Sequence, residues 1–346
     1  MLQPRDFGGL ETHPRRFCEA VLELAACAPS VGWVAGVIGV HPHELALGSR
    51  LLQEEVWGED PETWIASPYA PHGRARPAEG GYVFSGRWPF SSGTDLCQWV
   101  TIGGLVTDAD GNVADPVVKH FALPRADYEI DEDSWQVMGL RGTGSKDVVV
   151  RDAFVPGHRV IDTTDIVAGT AHHAAGRQDT PLYAMPRNGL FAAAVTAATL
   201  GAARAVLGAY AAVTRERESL TGKSSLDPFQ LAAFGECSAD IDTGVLHVLT
   251  DVDRVYDLCA AGKTVPVSLR AEVRRNQVRA TNRAAAAADK LFRIAGGVSL
   301  RTDGPLERNW RDCQAALHHI LNVQDPVLHG YGLDYFGHPL PPKLKF

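Results

Sequence analysis

Apolar residues recur at helical spacing from Pro14 to Trp57, in FCEAVLELAACAP and again in PHELALGSRLLQEEVWG. Pro29 and Gly32 interrupt the pattern and separate two helical stretches. From about Trp64 to Pro156 the period falls to two. GYVFSGRW, WVTIGGLV, VVKHFALP and KDVVVRDAFVP are short, β-branched and aromatic, and DADGN at 108–112 marks a hairpin. Strands this short need several partners, so a compact antiparallel barrel or sandwich is expected. The polar, punctuated stretch 163–189 reads as a connector. Beyond it, LFAAAVTAATLGAARAVLGAYAAVTRERE predicts a long Ala-rich helix, and further helices are expected at about 227–260, 266–295 and 305–321. The pattern therefore divides the chain into helical 1–63, β-rich 64–165 and helical 166–346.

Composition narrows the partners. A chain of 346 residues is too long for one small core. A net charge of −8 argues against nucleic acid, which needs clustered positive charge. No uninterrupted apolar run reaches the roughly 20 residues of a membrane span, and Met1-Leu2-Gln3-Pro4 lacks the basic start of a signal peptide. A cytoplasmic protein without membrane partners is expected. The six cysteines form no CxxC, so small buried thiols are expected and no metal site.

Several stretches carry more than a fold pattern: GWVAGVIGVHPHELAL, EVWGEDPETWIASPYAP, GGYVFSGRWPFSSG, VMGLRGTGSKDVVVRDAFVPGHR, PLYAMP, FRIAGGVSLRTDGPLERNWRD and the following AALHH. In these, and in its helix–strand–helix order, the chain resembles the oxygenase components of two-component flavin-dependent aromatic hydroxylases. That branch of the acyl-CoA dehydrogenase fold includes the 4-hydroxyphenylacetate hydroxylases and the hydroxylase of the phenolic ring of seco-steroids. The resemblance implies an α+β architecture: an N-terminal helical domain, shortened here, a middle antiparallel β-barrel domain and a C-terminal four-helix bundle. It also implies a homo-oligomer using reduced FMN or FAD from a separate NAD(P)H:flavin reductase. With O₂ as co-substrate, the flavin forms a C4a-hydroperoxide that hydroxylates a small phenolic or polycyclic aromatic substrate. No GxGxxG follows a strand, so the nicotinamide is not expected to bind here.

The resemblance also assigns residues. Ser92 matches the hydroxyl that related flavoproteins place beside flavin N5, with Ser91 and Gly93 as its backbone frame; a serine closing a strand-end turn is the other reading. His319 and His41 match two pocket histidines, with Ser67 as a further substrate contact. A histidine beside the substrate would stabilise phenolate, and the resemblance makes His319 the first candidate for this base, with His41 the second. Phenol and free histidine differ by about 3.5 pKa units, roughly 5 kcal/mol against unassisted transfer. Arg217, with Arg215 as its rival, is the candidate for a flavin phosphate. Gly296 and Gly297 permit close backbone approach but would equally suit a helix C-cap. Ser145 and Thr143 in RGTGSKD are further flavin candidates, and Trp33 is a pocket wall or core. Thr94, Asp95 and Leu96 depart from the family pattern after SSG, and the tail VLHGYGLDYFGHPLPPKLKF matches nothing in it. Two other functions remain open on sequence: an acyl-CoA dehydrogenase, although LHHILNVQDPV holds no glutamate for its base, and a flavin-free scaffold.

Overall fold

The computed structural model describes residues 1–219, 222–341, 344 and 346. Helix α1 (Pro14–Cys27) is capped by His13, whose Nδ1 accepts the Arg15 N–H at 3.2 Å. Helix α2 (Pro29–Leu45) likewise begins on a proline, where the missing N–H costs no hydrogen bond. Helix α3 (Arg50–Trp57) is capped by the Ser49 hydroxyl on the Leu52 N–H. In the connector, the six-residue α4 (Thr163–Ala168) stops at left-handed Gly169. The long helices are α5 (Arg187–Glu216), α6 (Pro228–Ala260) and α7 (Val267–Ile294), followed by α8 (Pro305–Ala316) and α9 (Gln324–Tyr335).

Helix α5 organises the helical part. Its small residues (Ala192 to Ala198, Gly201, Ala202) let α1, α2, α6, α7 and α8 all pack against it. One core therefore runs from Phe17 and Trp57 through Leu200 and Tyr210 to Leu291 and Cys313, joining the first helices to the last. Helix α5 is long and apolar enough to cross a membrane, yet most of its apolar stretch is covered by other helices. The six cysteines are free thiols, and only Cys27 is exposed.

The sheet comprises β1 (Ile65–Ala66), β2 (Gly73–Ala78), β3 (Gly81–Ser91), β4 (Trp99–Thr107), β5 (Val113–Pro124), β6 (Glu129–Asp131), β7 (Lys146–Pro156) and β8 (Val160–Asp162). Its order is β6-β7-β3-β2-β4-β5-β8, with β1 beside β4. The antiparallel barrel expected from sequence is corrected to a mixed sheet, because β2 and β1 both run parallel to β4. Period-two alternation reports which face a residue occupies and carries no information on strand direction. The expected DADGN turn is present. Asp108 accepts the Asp110 and Asn112 N–H groups at 3.0 and 2.9 Å, and Gly111 takes φ +85°. A second core of Phe84, Trp88, Ile102, Phe121 and Val148 fills one face. Trp88 belongs there, its Nε1–H donating to the carbonyls of Gly103 and Ala70 at 2.8 and 3.0 Å.

Candidate active site

The serine pair lies where β3 leaves the sheet. Phe90 takes φ +67° and Gly93 φ +70°, so the chain turns sharply on either side of Ser91 and Ser92. The left-handed backbone at Gly93 favours glycine, and a Cβ there would also crowd Ile38 Cδ1 at 2.7 Å. The Gly93 N–H donates to the Thr143 carbonyl at 2.8 Å, tying the corner to the turn at 140–145. That turn is held in place by α8. Asp312 accepts the Leu140 N–H at 2.5 Å, and Arg311 donates to the Met138 carbonyl.

Four side chains then form a line. Trp33 Nε1 lies 3.2 Å from Ser92 Oγ, Ser92 Oγ 2.8 Å from Ser145 Oγ, and Ser145 Oγ 2.6 Å from Thr143 Oγ1. Thr143 donates to the Leu140 carbonyl at 2.8 Å. Ser91 is fully buried, and its hydroxyl finds no partner among the described residues. An orphaned buried hydroxyl beside Ser92 fits a corner that a polar ligand completes.

Trp33 also brings in His319, their rings edge to face at 5.5 Å, and Phe191 follows at 6.3 Å from His319. Sequence places His319 on a helix face, but α8 ends at Ala316. The reason is Asn322, whose Nδ2 takes the Ala316 carbonyl at 2.8 Å and folds the chain into a short turn. His319 caps that turn, its Nδ1 accepting the Leu321 N–H at 3.2 Å, while Arg274 holds the Leu321 carbonyl at 2.8 Å. In the neutral ring the proton is therefore on Nε2.

His41 has the opposite polarity. Its Nδ1 lies 2.6 Å from the Ile65 carbonyl, which can only accept, so Nδ1 carries the proton. Nε2 is left as the acceptor and takes the Ser67 hydroxyl. Phe191 and Tyr69 flank the His41 ring at 6.1 and 5.6 Å. Burial lowers His41 to about 4. Burial, with Arg274 as a second cause, pushes His319 down to about 4.

Behind this pair lies a buried charge cluster that motif reasoning missed. Arg187, on the first turn of α5, pairs with Glu44 of α2, which also takes a hydrogen bond from His120 of β5. Burial alone would raise the Glu44 carboxyl, but Arg187 and His120 outweigh it and hold it well below its usual range. Burial lowers His120 while the Glu44 carboxylate opposes the shift. The guanidinium lies 4.0 Å from the Tyr69 ring centre, Tyr69 stacks on His120 at 4.4 Å, and the Tyr69 hydroxyl bonds Ser67 and Arg187. Glu44 sits in an ordinary-looking helical motif, and no local signal links it to Arg187 more than 140 positions away.

Arg217, Gly296 and Gly297 are elsewhere. Arg217 caps the far end of α5, 26 residues beyond Phe191, or about 39 Å at the α-helical rise. There it donates to the Ala295 carbonyl and adjoins Gly296 (φ +70°), while a Cβ on Gly297 would meet open space. This cationic, glycine-lined corner makes no contact with Ser92 among the described residues. The rival cation, Arg215, precedes it on the same helix end.

Residues 193–324 match the family described as acyl-CoA dehydrogenase, C-terminal domain. Together with the mixed sheet and the nine α-helices among the described residues, this defines the class as the acyl-CoA dehydrogenase fold. The chain is 47% identical over 341 residues to a pigment production hydroxylase of Rhodococcus erythropolis, covering 97% of this chain and 86% of that protein. It is 41% identical over 348 residues to the flavin-dependent monooxygenase oxygenase subunit HsaA of Mycobacterium tuberculosis, covering 99% and 86%. The HsaA crystal structure superposes with a TM-score of 0.92 at 39% identity, covering 99% of this chain and 87% of that one. XiaF from Streptomyces sp., solved with FADH2 and glycerol, superposes with a TM-score of 0.91 at 26% identity over 99% and 87%. The chain belongs to the flavin-dependent monooxygenases, as an oxygenase component of the two-component aromatic hydroxylases. Reduced flavin and O₂ are its cofactor and co-substrate, and the acyl-CoA dehydrogenase and scaffold alternatives give way to this assignment.

Proposed function

We propose that the protein hydroxylates a phenol held among Trp33, Phe191, Tyr69, His41 and His319. The observation that carries this reading is the opposite polarity of the two histidines. His41 offers an unprotonated Nε2 that takes the Ser67 proton, while Ser67 takes the phenolic proton in its place. His319 offers Nε2–H and donates to the phenolate oxygen. His41, then, rather than His319, is the base. Arg187 and Glu44 hold Tyr69, and through it Ser67, in place.

Reduced flavin, when bound, supplies the activation of O₂. On this reading Ser92 meets its ring edge, framed by Ser91 and Gly93, with Ser145 behind. Arg217, Gly296 and Gly297 hold the phosphate end of a flavin whose ring lies in a second copy of the chain. Exposed Leu226, Phe229 and Leu300 around that corner support this division. The assembly is thus a homo-oligomer with shared sites, served by a separate NAD(P)H:flavin reductase. Its six free thiols suit the reducing cytoplasm.

The test is product analysis of the protein with reduced FMN or FAD, O₂ and a panel of phenols. A product one oxygen heavier, on the ring of at least one phenol, is expected. Flavin oxidation that yields only H₂O₂ with every phenol overturns the reading.

A further inference from the structure

The line of hydroxyls behind Ser92 has a direction, and that direction follows from donor counting. A carbonyl only accepts, so two oxygens 2.8 Å apart at Thr143 and Leu140 require the single Thr143 hydroxyl proton between them. Thr143 then accepts from Ser145 at 2.6 Å, which commits the Ser145 proton. Ser145 in turn accepts from Ser92 at 2.8 Å, which commits the Ser92 proton. At the other end, the Trp33 indole is donor only and fills one Ser92 lone pair at 3.2 Å. Among the described residues one Ser92 lone pair stays uncommitted. Every hydroxyl points inward, toward Leu140. The members are all buried, and Asp312 fixes the Leu140 peptide that terminates the line.

We propose that this line is a redox-state selector for the flavin. It presents Ser92 to the ring edge as an acceptor and withholds its proton. Reduced flavin carries hydrogen on N5 and offers a donor; oxidised flavin has a bare N5 and needs one. The fixed polarity therefore favours the reduced form and disfavours the oxidised one. Reversing it would leave the Thr143 and Leu140 oxygens facing each other without a proton. Thr143 and Ser145 act through Ser92 and are positioning residues. The selector would help the oxygenase hold the flavin that arrives reduced and release the one that leaves oxidised. This inference rests on the reading that Ser92 faces the flavin.

The experiment is anaerobic titration of the full-length protein with reduced and with oxidised FMN and FAD, together with the midpoint potential of the bound flavin. Wild type should bind the reduced form more tightly. In Thr143→Val, Ser145 loses its acceptor and turns to Ser92, whose proton is freed toward the flavin. In Ser145→Ala the Ser92 proton is freed directly. Both substitutions should cut the reduced-over-oxidised affinity ratio about three- to tenfold, the size of one neutral hydrogen bond. A tenfold loss lowers the potential of the bound flavin by about 30 mV. Thr143→Ser keeps the hydroxyl and should keep the ratio. General damage to the fold weakens both forms together and leaves the ratio unmoved. If Ser92→Ala weakens reduced flavin while the ratio stays at the wild-type value in both Thr143→Val and Ser145→Ala, the selector is wrong and the placement of Ser92 stands. If Ser92→Ala changes neither affinity, the placement itself is wrong and the selector falls with it.

Discussion

Replacing His41 by alanine tests the division of labour between the histidines. Burial holds the imidazole at about 4, and an ordinary phenol titrates at about 10. Outright transfer of the proton would cost about six units, or about 8 kcal/mol at roughly 1.36 kcal/mol per unit. A turnover of about 10 per second corresponds to a total barrier near 16 kcal/mol, so free transfer would consume about half of it. The proton must therefore move to Nε2 as electron density leaves the phenolic oxygen for the ring carbon that takes up oxygen, with the resulting imidazolium close to the Glu44 carboxylate. A base acting this way contributes about 10²- to 10⁴-fold. His41→Ala should lower turnover of an ordinary phenol by that factor. A phenol with a pKa near 7 is already half ionised at neutral pH, and its loss should shrink below about tenfold. Ser67→Ala should show the same contrast, whereas His319→Ala, which removes a donor to the phenolate, should slow both phenols alike. The assay is product formation against flavin consumed, with excess reduced flavin and air-saturated buffer. An equal loss on the two phenols in His41→Ala would refute the reasoning.

Three further outcomes follow. Glu44→Gln leaves the Arg187 guanidinium buried without its counter-charge, and unfolding titrations should show a loss of about 3–5 kcal/mol; less than about 1 would mean that the cluster is solvated. His41 and His43 are both pushed down by burial to about 4, so the unfolded chain binds more protons between pH 6.5 and 4. Stability should hold near neutrality and fall with pH through that window. His43→Gln, which removes one of these protons, should flatten the fall, and a melting temperature that rises on acidification would contradict it. Mixing Ser92→Ala with Arg217→Ala subunits, each impaired alone, should raise activity above the mean of the two variants through hybrid assemblies containing one intact site. No recovery after subunit exchange would place both corners in separate roles.

The parts of the site that were legible from sequence are those carried by short motifs. Ser92, Ser67, His41, Trp33 and His319 converge in space although they span almost 290 positions. The rest left no local trace. Glu44, Arg187 and His120 come from α2, α5 and β5, and each looks like an ordinary polar residue in its own segment. RGTGSKD reads equally as a plain turn, because the value of Thr143 depends on which neighbours its hydroxyl meets. Strand direction was invisible to a period of two, and the end of α8 was set by Asn322, six residues beyond it. The tail left unplaced by sequence supplies α9 and Phe346, which cluster with Ala271 and Val278 of α7. Arg217, Gly296 and Gly297 do gather into one corner, at the C-terminal end of α5.

The distribution of thiols has a practical consequence. Cys27 is the single exposed cysteine and ends α1, six positions before Trp33, whose indole heads the line to Ser92. Burial raises Cys18, Cys97, Cys259 and Cys313 above the ordinary thiol range and keeps them unreactive. A maleimide dye would therefore attach at one place without mutagenesis. From there its emission would report, in real time, how the start of α2 responds when flavin and phenol arrive.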